Sequence, residues 1–395
     1  MMKKNALLML MLVYTVIASA QTVTDPMITK WWFNTTSNKY NGILTDVEAV
    51  YYNTTNVYVK TSGIPNYYKD GLTVNNAKDL QATWTLPRTP SVATIKPSII
   101  GGQSGLMYDG SVFFHPGDAQ SYNGAGVWNR LAYYFEGNDM DPYNGHSTPT
   151  NMYHHHFDNL ALHDFDSTKH SPIVAYAWDG YPVYGPYAYA NTDGTGGITR
   201  MKTSYGTKSY TTRTNGPNVN TQYPIGCFIE DWQYTAGSGH LDEHNGRFCK
   251  TPEYPNGTYA YFTTIDASLK PIYPYFVGPT FYGNLQAGNT GPNGGKATVP
   301  GGATQYQPTT AVKEVEAMDD AVKMYPVPVK DYLTVQLKEN KNYTLTVYNV
   351  EGKVLQEKKI NTTVQIDMSS YSYGMYFIGL QDDNGAGFIK RVVKQ

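Results

Sequence analysis

The chain has 395 residues, 41% of them hydrophobic and 16% charged, with a formal charge of −2. So little charge excludes a coiled coil and a charge-rich disordered chain, and the near-neutral balance gives no electrostatic footprint for nucleic acid or an anionic membrane. The 36 Tyr, 37 Gly and 23 Pro favour strands punctuated by turns, so the predicted class is mainly β: one large, loop-rich domain followed by a small C-terminal β-sandwich.

In chain order, residues 1–20 come first. Lys3 and Lys4, the apolar run from Ala6 to Ile17, and Ala18-Ser19-Ala20 read as a signal peptide. The run is shorter than the ~20 residues that span a bilayer. No other transmembrane candidate follows, so none is expected once the signal is removed. No cysteine stands at the junction, which argues against a lipoprotein anchor.

Residues 21–283 are expected to form one β-rich domain. Aromatic, β-prone stretches recur, among them Val47 to Tyr52, Val57 to Val59, Ile173 to Trp178 and Tyr259 to Phe262. Asp109-Gly110, Asn144-Gly145, Asp179-Gly180 and Asn256-Gly257 mark turns between them. The segment shows no internal repeat and no long amphipathic helical pattern.

All nine histidines lie between His115 and His244. In Tyr153-His154-His155-His156 a strand would put His154 and His156 on one face and His155 on the other. A hairpin return past Pro149 would bring His146 beside that pair. Three imidazoles with an open position suit Zn or Cu. The alternative is a run of hydrogen-bonding histidines packed among the tyrosines. Further along, His240, Asp242 and His244 lie in a Gly-flanked segment that reads as a loop, as an additional ligand group or as a cover for the first cluster. Asp179 is either a carboxylate supporting the metal at a strand end or simply the residue that makes the Asp-Gly turn. Glu230, Asp242 and Glu243 are the candidate general bases. The only cysteines are Cys227 and Cys249. In an exported chain a disulfide between them is expected, with metal thiolates or free thiols as the alternatives.

These stretches resemble the YHYH-domain family. Asn144-Gly145-His146 is similar to the lead-in. Tyr153 to His156 falls at the signature, with His155 where the family has Tyr. Ser171 to Tyr187, Leu241 to Phe248 and Thr251 to Phe262 complete the resemblance, although His244 stands where the family often has Cys. The resemblance spans residues 25–283. It implies a domain type and no settled activity.

Residues 284–320 are rich in Gly, Pro, Asn, Thr and Gln and read as a flexible linker. From residue 321 to 395 apolar residues alternate again: Leu333, Val335, Leu337, then Tyr343, Leu345, Val347, then Val364 and Ile366. Four pieces carry a second resemblance: Tyr325-Pro326-x-Pro328, Tyr348-Asn349-x-x-Gly352-Lys353, Gly374-x-Tyr376 and the basic end from Lys390 to Lys394. They are similar to the type A C-terminal sorting domain of the type IX secretion system of Bacteroidota, with Val327 where that family usually has Asn. The resemblance implies recognition by that secretion machinery and release or attachment at the cell surface.

Three functions fit the sequence. One is a secreted or surface metal-binding protein with His146, His154 and His156 as ligands. The second is a metal-dependent enzyme at the same cluster. The third is a glycan-binding or adhesion protein using Trp31, Trp32, Trp128 or Trp232. There is no phosphate loop, G-x-S-x-G nucleophile elbow or dinucleotide fingerprint.

Overall fold

The computed structural model describes residues 23–394, apart from 35–36, 100, 164, 292–293, 309–321, 339, 350–352, 373 and 383–386. The expected signal peptide, residues 292–293 and 309–320 of the expected linker, and Gly352 of the Tyr348 to Lys353 motif lie outside the described residues. The chain is mainly β, as its composition implied.

The centre of the large domain is an eight-stranded sheet. Its strands are β1 (Gln103–Met107), β2 (Val112–Phe114), β3 (Gly145–Ser147), β4 (Tyr153–His155), β5 (Ile173–Ala177), β6 (Pro182–Tyr184), β7 (Gly246–Cys249) and β8 (Thr258–Phe262). They lie in the order β3-β4-β2-β1-β5-β6-β8-β7. The pairs β1/β2 and β5/β6 are hairpins that turn at Asp109-Gly110 and Asp179-Gly180. Each outer pair is antiparallel, and it joins its hairpin through a parallel contact, β4 with β2 and β8 with β6. The strand order therefore repeats about the β1/β5 boundary, where the sequence alone showed no repeat. Most side chains differ between the halves while the backbone pattern is kept.

A second sheet has four strands, in the order Thr304–Gln305, Val47–Tyr52, Asn56–Thr61 and Ala82–Pro87. Its buried residues Val50, Val57, Val59, Trp84 and Leu86 share one core with Val174, Tyr176 and Trp178 of the large sheet. Trp84 stacks on Trp178 with ring centroids 4.9 Å apart. Burying two indoles and a row of β-branched side chains stabilises this junction by roughly 1.5–3 kcal/mol per residue.

The expected linker needs correction, because its described residues from 284 to 306 belong to the large domain. Asn289 is fully buried; its Oδ1 accepts from Thr85 N (3.2 Å) and its Nδ2 donates to Thr85 O (2.6 Å). Thr304 and Gln305 pair as an edge strand with Tyr52 and Tyr51. Only Leu285 and Tyr306 of its described residues pack against the main core as large apolar side chains, and the rest is held by backbone and amide pairing, so its composition looks like that of a linker.

The disulfide is also corrected. Cys227 and Cys249 are both free and buried. Cys249 ends β7 within the main core. Cys227 lies beside the fully buried Arg213–Asp231 ion pair, with its Sγ 4.0 Å from Arg213 Nη2 and its carbonyl accepting from Leu131 N. The two thiols sit in separate local networks. Burial pushes Cys227 up to about 12 and also raises Cys249.

The tail has its own core. Val322–Tyr325, Tyr332–Leu337 and Val364–Asp367 form one sheet. Val354–Ile360, Tyr343–Asn349, Gly374–Asp382 and Gly387–Lys394 form the other. Leu333, Val335 and Ile366 from the first meet Leu345, Val347, Ile378 and Leu380 from the second in one apolar cluster, giving a small sandwich.

Candidate metal centre

The β3/β4 hairpin builds the site. Before β3, Asp141 Oδ1 accepts from Tyr143 N (2.9 Å) and Gly145 N (3.0 Å), and Asn144 takes φ 68°. Gly145 is required because a Cβ there would lie 2.1 Å from Tyr153 Oη. That hydroxyl donates to Asp141 Oδ2 (2.6 Å). At the hairpin end Thr148 Oγ1 accepts from Thr150 N and Met152 N, and Asn151 takes φ 72°. The resulting register places His146 directly opposite His154.

Strand alternation then sorts the histidines. His154 and His156 share a face with His146, and one ligand atom from each of the three lies within 4.8 Å of the others. His155 points the other way and is fully buried, with its Nε2 near Tyr67 Oη (3.4 Å) and Asn159 Nδ2 (3.3 Å), both of which donate to Asp109.

The hydrogen bonds behind the rings fix which nitrogens face forward. His154 Nδ1 lies 3.2 Å from Met152 O, and His156 Nδ1 lies 2.7 Å from His115 O. A carbonyl only accepts, so each Nδ1 carries the proton. A neutral imidazole has a single N–H, so both Nε2 atoms present lone pairs, and these are 2.9 Å apart. Two lone pairs at that distance call for a proton or a cation between them. Burial holds His154 well below its ordinary value, with the His156 and His146 charges adding to the effect. Burial, then His156, brings His146 down to about 4. Phe114 stacks on His154 with centroids 4.0 Å apart and fixes its ring.

Glu136 completes the cluster. It follows the short helix Ala132–Phe135. Its Oε2 lies 3.2 Å from His156 Nε2 and 3.8 Å from His146 Nε2. Both Glu136 Oε2 and His146 Nε2 are buried without a hydrogen-bond partner. Burial pushes the carboxyl up, but contact with His156 and the charges of both imidazoles outweigh this and hold it below its ordinary value. A cavity of about 350 Å³ opens onto the three histidines and Glu136. The sequence reading missed Glu136. It closes the aromatic run Tyr133-Tyr134-Phe135, and nothing near it in sequence marks it as a ligand.

The other candidates lie elsewhere. Among the described residues, this trio is the one group of three or more potential ligands close enough to share an ion. Asp179 is fully buried as a turn anchor, accepting from Tyr261 Oη (2.6 Å), Gly283 N (2.8 Å) and Tyr181 N (3.3 Å). Asp242 accepts from His244 N and Gly246 N and from Tyr259 Oη. His244 Nδ1 pairs with Thr280, and His240 Nδ1 accepts from Lys202 N. Glu230 is taken up by Asn129. Of the tryptophans, Trp31 is in the core, Trp32 packs on it, Trp232 stacks on Tyr273 and Trp128 meets Phe228.

Residues 83–274 match the family described as YHYH protein, and residues 323–395 match the secretion system C-terminal sorting domain. The chain is a YHYH-domain protein with a type IX sorting tail. The hairpin, its three histidines and Glu136 all fall inside the YHYH match. The sorting domain marks the protein as secreted or held at the cell surface and implies recognition by the type IX machinery. No helix among the described residues is long and apolar enough to cross a membrane. No curated protein matches the chain. One similar solved structure is a DUF3244 family protein with an immunoglobulin-like β-sandwich fold from Bacteroides vulgatus ATCC 8482. It is 13% identical, covers 20% of this chain and 87% of that one, and has a TM-score of 0.18, a likeness too slight to argue from.

Proposed function

We propose that the YHYH domain binds one transition-metal ion, Zn or Cu, through His146, His154 and His156, with Glu136 as a fourth donor. The observation that carries this reading is the pair of opposed Nε2 atoms, 2.9 Å apart, with Glu136 Oε2 3.2 Å from His156 Nε2. Three imidazoles and one carboxylate suit either ion, and the carbonyls behind His154 and His156 supply the outer hydrogen bonds that ligating histidines ordinarily make. The protein would act outside the cell as a metal-binding or metal-buffering component.

A second reading, an enzyme at the same centre, is favoured by the cavity, which leaves room for a small molecule beside the ligands. Such an ion, when bound, supplies Lewis acidity and a bound water of lowered pKa. Glu136 is then the residue placed to accept a proton from a group in the cavity, and Phe114 and the β3/β4 hairpin hold the imidazoles in position.

The test is elemental analysis of the purified full chain beside a His154→Ala/His156→Ala variant. One equivalent of Zn or Cu in the parent and none in the variant is expected. A parent that stays metal-free after reconstitution with both ions overturns the proposal. Turnover that depends on the metal and is lost in Glu136→Gln while the metal stays bound would favour the enzyme.

A further inference from the structure

The two halves of the large sheet agree well beyond strand order. Asp141 Oδ1 accepts from the amides two and four residues on, at 2.9 and 3.0 Å; Asp242 Oδ1 does the same at 2.9 and 3.1 Å. Asn144 and Asn245 follow, at φ 68° and 65°. Gly145 and Gly246 come next, and each lies so close to a tyrosine hydroxyl that a Cβ would meet it at 2.1 and 2.4 Å. Those hydroxyls, of Tyr153 and Tyr259, donate back to Asp141 and Asp242. In the inner hairpins Asp109-Gly110 answers to Asp179-Gly180, with both glycines at φ 84°. The parallel contacts pair His155 with Phe113 and Tyr261 with Val183. After β2 and β6 each half continues through a proline, Pro116 or Pro186, whose carbonyl accepts from Ala132 N or Met201 N. Each half then forms a small hairpin, Gly117–Ser121 with Asn129–Leu131 or Tyr187–Tyr189 with Ile198–Arg200.

The register assigns a counterpart to each of the three histidines. His146 answers to Arg247, His154 to Ala260 and His156 to Phe262. The frame is kept and the imidazoles are not. In the second half the Arg247 guanidinium lies over the Phe262 ring and donates to the carbonyls of Tyr189 and Ala190 on the small hairpin. In the first half the matching hairpin is irregular, with Ala119 at φ 62°, and the cavity opens there, lined by Gly117, Asp118 and Ala119. Among the described residues lining that cavity there are three carboxylates (Asp118, Glu136 and Asp139) and no lysine or arginine.

We infer that the sheet is an internal duplication, and that the cavity beside the three histidines is a cation site whose counterpart in the second copy is closed by the Arg247 guanidinium. The duplication stands on strand order, turn geometry and the matched Asp and Tyr contacts; the cation site rests on the metal reading above. The two copies sort residues by role. Asp141, Asn144, Gly145 and Tyr153 are frame, because the copy without imidazoles keeps their equivalents. His146, His154 and His156 are the site, because they are what differs. His155 belongs with the frame, since it is linked to Asp109 through Asn159 and Tyr67, where its counterpart Tyr261 donates directly to Asp179.

The test compares H146R with H146A in the full chain, reading zinc content and metal-free thermal midpoint. If the first half can close as the second does around Arg247, an arginine at this position finds hairpin carbonyls to donate to, so H146R is expected to melt above H146A and to retain no zinc. H146R melting below H146A, or retaining zinc at the parent's stoichiometry, overturns the inference. A parent that itself takes up no zinc defeats the metal reading, and the duplication is still judged by the order of the two midpoints. Tyr153→Phe and Tyr259→Phe give an independent check. They delete equivalent hydroxyl–carboxylate bonds, so their midpoint losses should agree within a factor of two. A severalfold disagreement counts against the duplication.

Discussion

Glu136→Gln tests the candidate centre most directly, because it changes one atom and keeps the shape. The carboxylate oxygen it removes lies 3.2 Å from His156 Nε2 and has no other hydrogen-bond partner. Loss of a group that orients the ligands of a metal site costs about 10–100-fold in affinity, and that range is the least expected for Glu136. With zinc held at 100 times the parent's Kd, linkage stabilises the parent by about 2.7 kcal/mol. The same zinc concentration would stabilise the variant by only about 1.4 kcal/mol at a tenfold loss, and by about 0.4 kcal/mol at a hundredfold loss. For a domain of this size, about 2–4 °C per kcal/mol makes the zinc-induced rise about 5–11 °C in the parent and about 1–6 °C in the variant. Differential scanning calorimetry with and without zinc reads both values. Equal rises would remove Glu136 from the ligand set. No rise in either protein would refute the argument from the opposed lone pairs.

Further outcomes are expected. Asp179 is pushed up to about 6 by burial, against the pull of Tyr261, Gly283 and Tyr181. The folded state therefore binds this proton more tightly than the unfolded chain does. The resulting stability is present below pH 3.8 and is lost as pH rises through about 6. Asp179→Asn should flatten this part of a midpoint-against-pH curve, and an unchanged slope would place the proton elsewhere. His155→Tyr installs the residue found at Tyr261. It should cost no more than about 1–3 kcal/mol of overpacking in a urea titration and leave zinc uptake intact, whereas loss of zinc would bring His155 into the site. Cys227 and Cys249 should react with an alkylating agent only after unfolding, both as free thiols, and a reductant should not lower the melting midpoint. Recovery of an intact peptide pair linked by oxidation would reverse that assignment.

The sequence was most informative where function depends on local periodicity. Alternation in Tyr153 to His156 puts His154 and His156 on one face whatever surrounds them, because the side-chain period of a strand is two. The turn beyond His146 likewise points to a hairpin return. The sorting tail was legible for the same reason: its apolar residues alternate, and its motif pieces follow in order. The sequence also settled the mainly β class, since so many Tyr, Gly and Pro leave little else to build.

Tertiary structure decided whatever depends on residues far apart in the chain. Glu136 reaches the histidines only because the helix Ala132–Phe135 lies beside the β3/β4 hairpin, and no spacing rule encodes that contact. The Gly- and Asn-rich stretch after residue 284 looks unstructured because it docks through backbone and amide hydrogen bonds, which composition does not register. The cysteines look like a bridge from their number and compartment, but pairing requires two Cβ atoms to converge, which is a property of the fold. The repeated half-sheet was hidden because the shared residues are few and scattered: turn aspartates, asparagines and glycines, a tyrosine and a proline. These are the residues that fix backbone geometry, and the side chains between them are free to become imidazoles in one half and a guanidinium in the other.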